Sequence, residues 1–148
     1  MSAGMKACVF FMSMFKNQNP DDSLKFPIDK LGEDYRISRN FRLREAQSRC
    51  GSMLVYLHPS TLVLAQILRD RVGALMVNSW YRSLEHNTKI QGSKESKHTL
   101  GMAVDLFPLE CSLSKLIDEA NKLDIGGIGI YENFLHIDTF GEERRWTI

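Results

Sequence analysis

The run Ser96-Lys97-His98-Thr99-Leu100-Gly101-Met102-Ala103-Val104-Asp105 places an imidazole and a carboxylate seven positions apart, with Gly101 between them. A second imidazole follows in Phe134-Leu135-His136-Ile137-Asp138. Two histidines and one carboxylate are a sufficient protein ligand set for a catalytic zinc, leaving the fourth position to water. His98, Asp105 and His136 are therefore the candidate metal ligands. Zinc tolerates little error in ligand distance, so all three must ride on stiff elements. Residues two apart on a strand share a face, so His136 and Asp138 point the same way. That leaves Asp138 three roles: a further ligand, a carboxylate that orients a histidine, or a base for the water at the metal.

The elements that must position these groups follow from the apolar pattern. Arg42 to Gln47 suits one helical turn after Phe41. Ser60-Thr61 suits a helix cap, Leu62, Val63, Ile67, Leu68 and Val72 recur at helical spacing, and Gly73 ends the run. Leu75 to Trp80 reads as a buried strand, Arg82 to Gln91 as a loop or short helix, and Gly92 to Thr99 as a polar, flexible segment. Met102 to Phe107 is a second strand, with Pro108 ending it; Ser112 caps a helix reaching Leu123. Gly126 to Tyr131 and Phe134 to Thr139 form a hairpin about a turn at Glu132-Asn133, and Arg144 to Thr147 adds an edge strand. Helices and strands without strict alternation predict an α+β fold: a small, mainly antiparallel sheet with helices packed on it. Residues 1–40, broken by Pro20, Pro27 and Gly32, read as an irregular lead-in that wraps a domain over residues 41–148.

The bulk properties narrow the function classes. At 148 residues, 43% hydrophobic and 25% charged, the chain fits one globular domain. A net charge of +1 gives no global pull towards nucleic acid or an anionic membrane. No apolar run approaches the ~18 residues of a membrane span. Cys8, Cys50 and Cys111 are widely spaced and odd in number, which predicts reduced thiols rather than a disulfide framework. Met5-Lys6 followed by the apolar run from Ala7 to Phe15 is signal-like but has no small-x-small cleavage site, so a core-packing strand or apolar arm is the favoured reading.

The motif set resembles the M15 group of zinc peptidases, which includes D-alanyl-D-alanine carboxypeptidases, dipeptidases and phage endolysins. Ser96, His98, Gly101, Ala103 and Asp105 meet every specified position of its Ser-x-His-x-x-Gly-x-Ala-x-Asp signature. Asn78-Ser79-Trp80-Tyr81-Arg82-Ser83 with Glu85-His86-Asn87, the hairpin ending in His136-Ile137-Asp138, and the late Arg144-Arg145-Trp146 follow in the group's order. The resemblance covers residues 40–147. It implies a hedgehog/DD-peptidase-like sheet carrying the zinc, with His98, Asp105 and His136 as ligands, Arg82 facing substrate, and Ser96 contacting substrate or ordering its loop. A guanidinium there suits an oxyanion or a peptide carboxylate. Many members carry an acid three residues before the last histidine; here that residue is Asn133. Asp138 is then the favoured base and Glu132 the alternative.

The function this implies is zinc-assisted hydrolysis of D-amino-acid-containing peptidoglycan peptides. Carboxypeptidase and endopeptidase action both remain open, and a phage-type lytic enzyme fits. The competing expectation is a non-catalytic zinc-containing binding module or virion component. A monomer acting at the bacterial cell wall is expected, with a peptidoglycan peptide as partner and no nucleic acid. His58, before Pro59, is expected at the surface, and His86 in a capping or packing role. Trp80, Tyr81, Tyr131 and Trp146 are expected to be core aromatics.

Overall fold

The structure, a computed structural model, describes residues 14–148. The signal-like run lies outside them except for Met14 and Phe15, and so does Cys8. Phe15 is buried and bridges Ile125 in parallel, so the end of the run does pack into the core.

Five strands make the main sheet: β3 (Leu75–Ser79), β4 (Ala103–Pro108), β5 (Gly127–Ile130), β6 (Leu135–Asp138) and β7 (Arg144–Thr147). Their spatial order is β3-β4-β6-β5-β7. All neighbours are antiparallel except β5 and β7, which run parallel. The expected sheet, hairpin and edge strand are all present. Helices α3 (Pro59–Val72) and α5 (Leu113–Asn121) pack on one face of the sheet. That face carries Val104, Leu106, Ile128, Leu135 and Ile137, all buried, and their burial against Leu64, Leu68 and Leu116 forms the core.

The other face carries the polar residues, and the register sets them in two rows. Ser79, Asp105, His136, Gly129 and Trp146 are successive cross-strand partners from β3 to β7. Ala103, Asp138, Gly127 and Arg144 form the adjacent row. The glycines of β5 are what make this face usable. A Cβ on Gly129 would sit 2.4 Å from the Trp146 ring, and one on Gly127 would sit 2.2 Å from Asp138 Oδ2. The missing side chains let the indole and the carboxylate lie flat beside His136.

The stretch read as an irregular lead-in holds more structure than expected. β1 (Leu24–Pro27) pairs antiparallel with β2 (Leu54–Leu57) in a separate two-stranded sheet, and α1 (Ile28–Leu31) follows β1. Its backbone is tied to the rest of the chain: Gln18 N donates to Thr139 O, and Ser23 Oγ to Leu100 O. The helical turn after Phe41 is α2 (Leu43–Ala46).

His58 corrects the surface expectation: it is 3% exposed. Its Nδ1 accepts from Ser60 N, which makes His58 rather than Ser60 the cap of α3, with Pro59 at the first helical position. Its Nε2 donates to Asn19 O at 3.0 Å, so one ring joins the helix start to the N-terminal stretch.

Candidate active site

His98 lies not in a flexible segment but in a buried 3₁₀ turn, Lys97–Leu100. Gly101 closes that turn at φ +71°, where a Cβ would also fall 2.1 Å from Tyr56 O, so both its conformation and its setting require glycine. The turn delivers His98 to β4, and the sheet register sets Asp105 directly opposite His136.

The three side chains converge. Asp105 Oδ1 is 3.3 Å from His98 Nε2 and 2.9 Å from His136 Nδ1. One ligand atom from each lies within 4.8 Å of the others. Ligand bonds of about 2.0–2.1 Å in a tetrahedron require donor separations of about 3.3 Å, so the set fits a zinc-sized ion after small adjustments. Each histidine has a fixed outer partner. His98 Nδ1 donates to the Trp80 carbonyl at 2.8 Å, which turns Nε2 towards the cluster. His136 Nε2 donates to Asp138 Oδ2 at 2.9 Å, which likewise points Nδ1 inward. A pair of rings oriented this way by a carbonyl and a carboxylate is the outer support that metal-binding histidines need.

Asp138 itself is fully buried. Its second oxygen accepts from Arg144 Nη2 at 2.5 Å and Phe140 N at 3.2 Å. Burial alone would raise its pKa, but the hydrogen bond from His136, with Arg144 adding to it, lowers it instead. For Asp105 burial also pushes upward, and the hydrogen bonds from His136 and then His98 hold it well below the usual carboxylate range. His136 is the complement. Burial pushes its pKa down, but hydrogen bonds to Asp105 and Asp138 outweigh that and raise it to about 9. Without a metal, His136 is an imidazolium held between two carboxylates.

Beside the cluster is a cleft of about 400 Å³. Tyr131 and Phe134, stacked at 4.5 Å, form one wall with Trp146, whose ring lies 5.2 Å from that of His136. Tyr131 and Trp146, expected in the core, line the cleft instead; Trp80 and Tyr81 are buried as expected. Arg82 and Ser96 line the cleft opposite. Arg82 is half-buried, which lowers its pKa, yet a guanidinium stays charged. Its Nη1 donates to Asn87 Oδ1 at 3.1 Å and to Ser96 Oγ at 3.5 Å, and its Nη2 to Ser79 Oγ at 3.3 Å. Its backbone N donates to His98 O at 3.1 Å, so arginine and ligand are held as a unit.

The sequence reading missed Asn87, which is 6% exposed and braces Arg82 from α4 (Leu84–Lys89). It also missed Glu95 and Lys97 on the cleft rim. The Asn87 signal was its place in the Glu85-His86-Asn87 stretch; Glu95 sits in a polar loop with nothing to single it out. Glu132 occupies the exposed turn between Tyr131 and Phe134 and does not line the cleft.

The model of the peptidase M15 family matches residues 30–138. The chain belongs to the peptidase M15 family. It is also similar to the peptidoglycan L,D-endopeptidase MepK of Escherichia coli (strain K12), with 37% identity over 75 residues, 46% of this chain and 41% of that protein. The MepK proteins of Escherichia coli O157:H7 and Shigella flexneri match to the same extent. The chain thus spans less than half the length of these relatives. The family match takes in the signature, Arg82 and the His136–Asp138 strand, and it begins inside the stretch read as a lead-in.

Proposed function

We propose that this M15-family chain is a zinc-dependent peptidase that cleaves amide bonds in bacterial peptidoglycan peptides containing D-amino acids. The observation that carries the proposal is the convergence of His98, Asp105 and His136 at the floor of a cleft that Arg82 faces. The name of the similar MepK proteins favours the endopeptidase form over the carboxypeptidase form. Action at the cell wall, in the periplasm or outside the cell, and as a monomer, goes with this reading. No helix among the described residues is long and apolar enough to cross a membrane.

His98 Nε2, Asp105 and His136 Nδ1 would hold the zinc. When bound, zinc supplies a Lewis acid for the carbonyl and brings the pKa of a water towards neutrality. The chain supplies the rest. Arg82, held at three points, offers guanidinium N–H groups to the oxyanion that develops on the cleaved carbonyl. Ser96 stands beside it on the substrate side. Asp138 takes the orienting role among its three: both oxygens are engaged and the group is buried, so it holds the His136 Nε2 proton rather than receiving one from water. The proton then goes to a carboxylate with free oxygens. Glu132 lies next to the aromatic wall, and Glu95 lies on the rim across from it. Exchanging each for glutamine separates them: the acceptor's variant loses kcat while keeping its zinc.

A non-catalytic module draws support from Asn133, which stands where many relatives carry an acid. Incubating purified peptidoglycan with the zinc-loaded protein and with His98→Ala, followed by mass analysis of released peptides, decides between them. New amide-cleavage products with the wild type alone support the enzyme. Zinc bound without products supports the module.

A further inference from the structure

A second cleft, about 330 Å³, is lined by α2, the loop that follows it and β3. Ser79, whose hydroxyl accepts from Arg82 Nη2, lines this second cleft, while Arg82 lines the first. The lining is polar, and its charged side chains are Arg44, Glu45 and Arg49. Arg44 is paired with Asp34, and the Glu45 carboxylate accepts from Arg42 N at 2.7 Å. Arg49 donates to the carbonyl of Asn78 at 2.7 Å but has no carboxylate partner among the described residues. The ring of His86, which the sequence reading put in a capping or packing role, lines the same space with no hydrogen-bond partner there. The floor is buried Ser48 and the half-buried edge of β3.

We infer that this cleft is a subsite for a carboxylate-bearing group of the peptide substrate, read by Arg49 and His86. The inference rests on the proposed peptidase function and names a feature of its substrate. An unpaired guanidinium recognises a carboxylate with short, charge-assisted hydrogen bonds, and an amide in the same place loses most of that gain. The position fits: the two clefts meet at the Arg82–Ser79 contact, so a chain whose scissile bond lies at His98 and His136 and which passes Arg82 is directed towards this cleft. Peptides with an acidic residue close to the scissile bond are the matching class.

The test uses binding as well as turnover. A peptide containing D-glutamate and its counterpart with that carboxylate as a carboxamide are titrated into the intact protein by calorimetry. The wild type binds the acid about tenfold more tightly, the loss expected when one charge-assisted contact goes. Arg49→Ala erases the preference, Arg49→Lys retains part of it, and His86→Asn weakens it. With a cleavable substrate, Arg49→Ala raises KM and leaves kcat unchanged. Arg49 is exposed, so its variants should melt with the wild type. Equal binding of acid and amide by the wild type overturns the inference, as does a preference that survives in the Arg49→Ala, His86→Asn double variant. Failure to cleave peptidoglycan would instead count against the peptidase reading, because the binding preference is measured without turnover.

Discussion

Loading the site with Zn²⁺ at pH 7.5 should release about one proton, and that proton should come from His136. In the metal-free protein both ring nitrogens of His136 donate to carboxylates, and the pKa is raised to about 9. At pH 7.5 the ring is then almost wholly protonated. Ligation needs the Nδ1 lone pair, whereas Nε2 keeps its proton and donates it to Asp138. Asp105 is already ionised and releases none. One proton per ion makes the apparent affinity rise about tenfold between pH 7 and pH 8. Calorimetric titrations in buffers of different ionisation enthalpy count the proton, and competition with a chelator gives the slope. Asp138→Asn removes one of the two charges that hold the proton, so it should release less and bind zinc about 10–100-fold more weakly. Zinc binding with no proton release and a flat profile from pH 7 to 8 would refute the reasoning, because His136 would then be neutral between its two carboxylates.

Three further outcomes follow from the same geometry. The raised pKa of His136 stabilises the metal-free fold fully below about pH 6.5 and progressively less as pH rises through about 9; thermal melts of metal-free protein should fall over that window, and His136→Asn should flatten the trend. Arg82→Ala should lower kcat by about 10²–10³ with zinc content unchanged, and Asn87→Ala should cost activity only while Arg82 is present, which a double-mutant cycle reads. Gly129→Ala would drive a Cβ into the Trp146 ring; it should destabilise by about 1–3 kcal/mol in denaturant melts, and Trp146→Ala should restore most of the loss.

Much of this architecture was legible in the chain. The alternation in β4 and β6, the glycines of β5 and the helical spacing of α3 each reflect one buried face, and that local pattern is what a sequence displays. The candidate metal-binding pair His98 and Asp105 was legible because its spacing spans one turn and one strand. What could not be read depended on distant partners. β1 and β2 are short and end near prolines, and only their pairing makes them strands. His58 looks like a loop histidine until Asn19 and Ser60 take both its nitrogens. Asp138 shares a strand face with His136 whether it is a base or a brace, and it is Arg144, from another strand, together with Phe140 N that fills its second oxygen. Of the cleft walls, Tyr131 and Phe134 flank one turn, and only the pairing of β7 with β5 brings Trp146 to them.

The most direct test of the account is a crystal of the zinc-loaded protein measured at the zinc absorption edge. One anomalous peak should appear about 2.0–2.2 Å from His98 Nε2, an Asp105 oxygen and His136 Nδ1, with His136 Nε2 still on Asp138. An ion bound elsewhere, or one ligated through His136 Nε2 with Asp138 displaced, would contradict it.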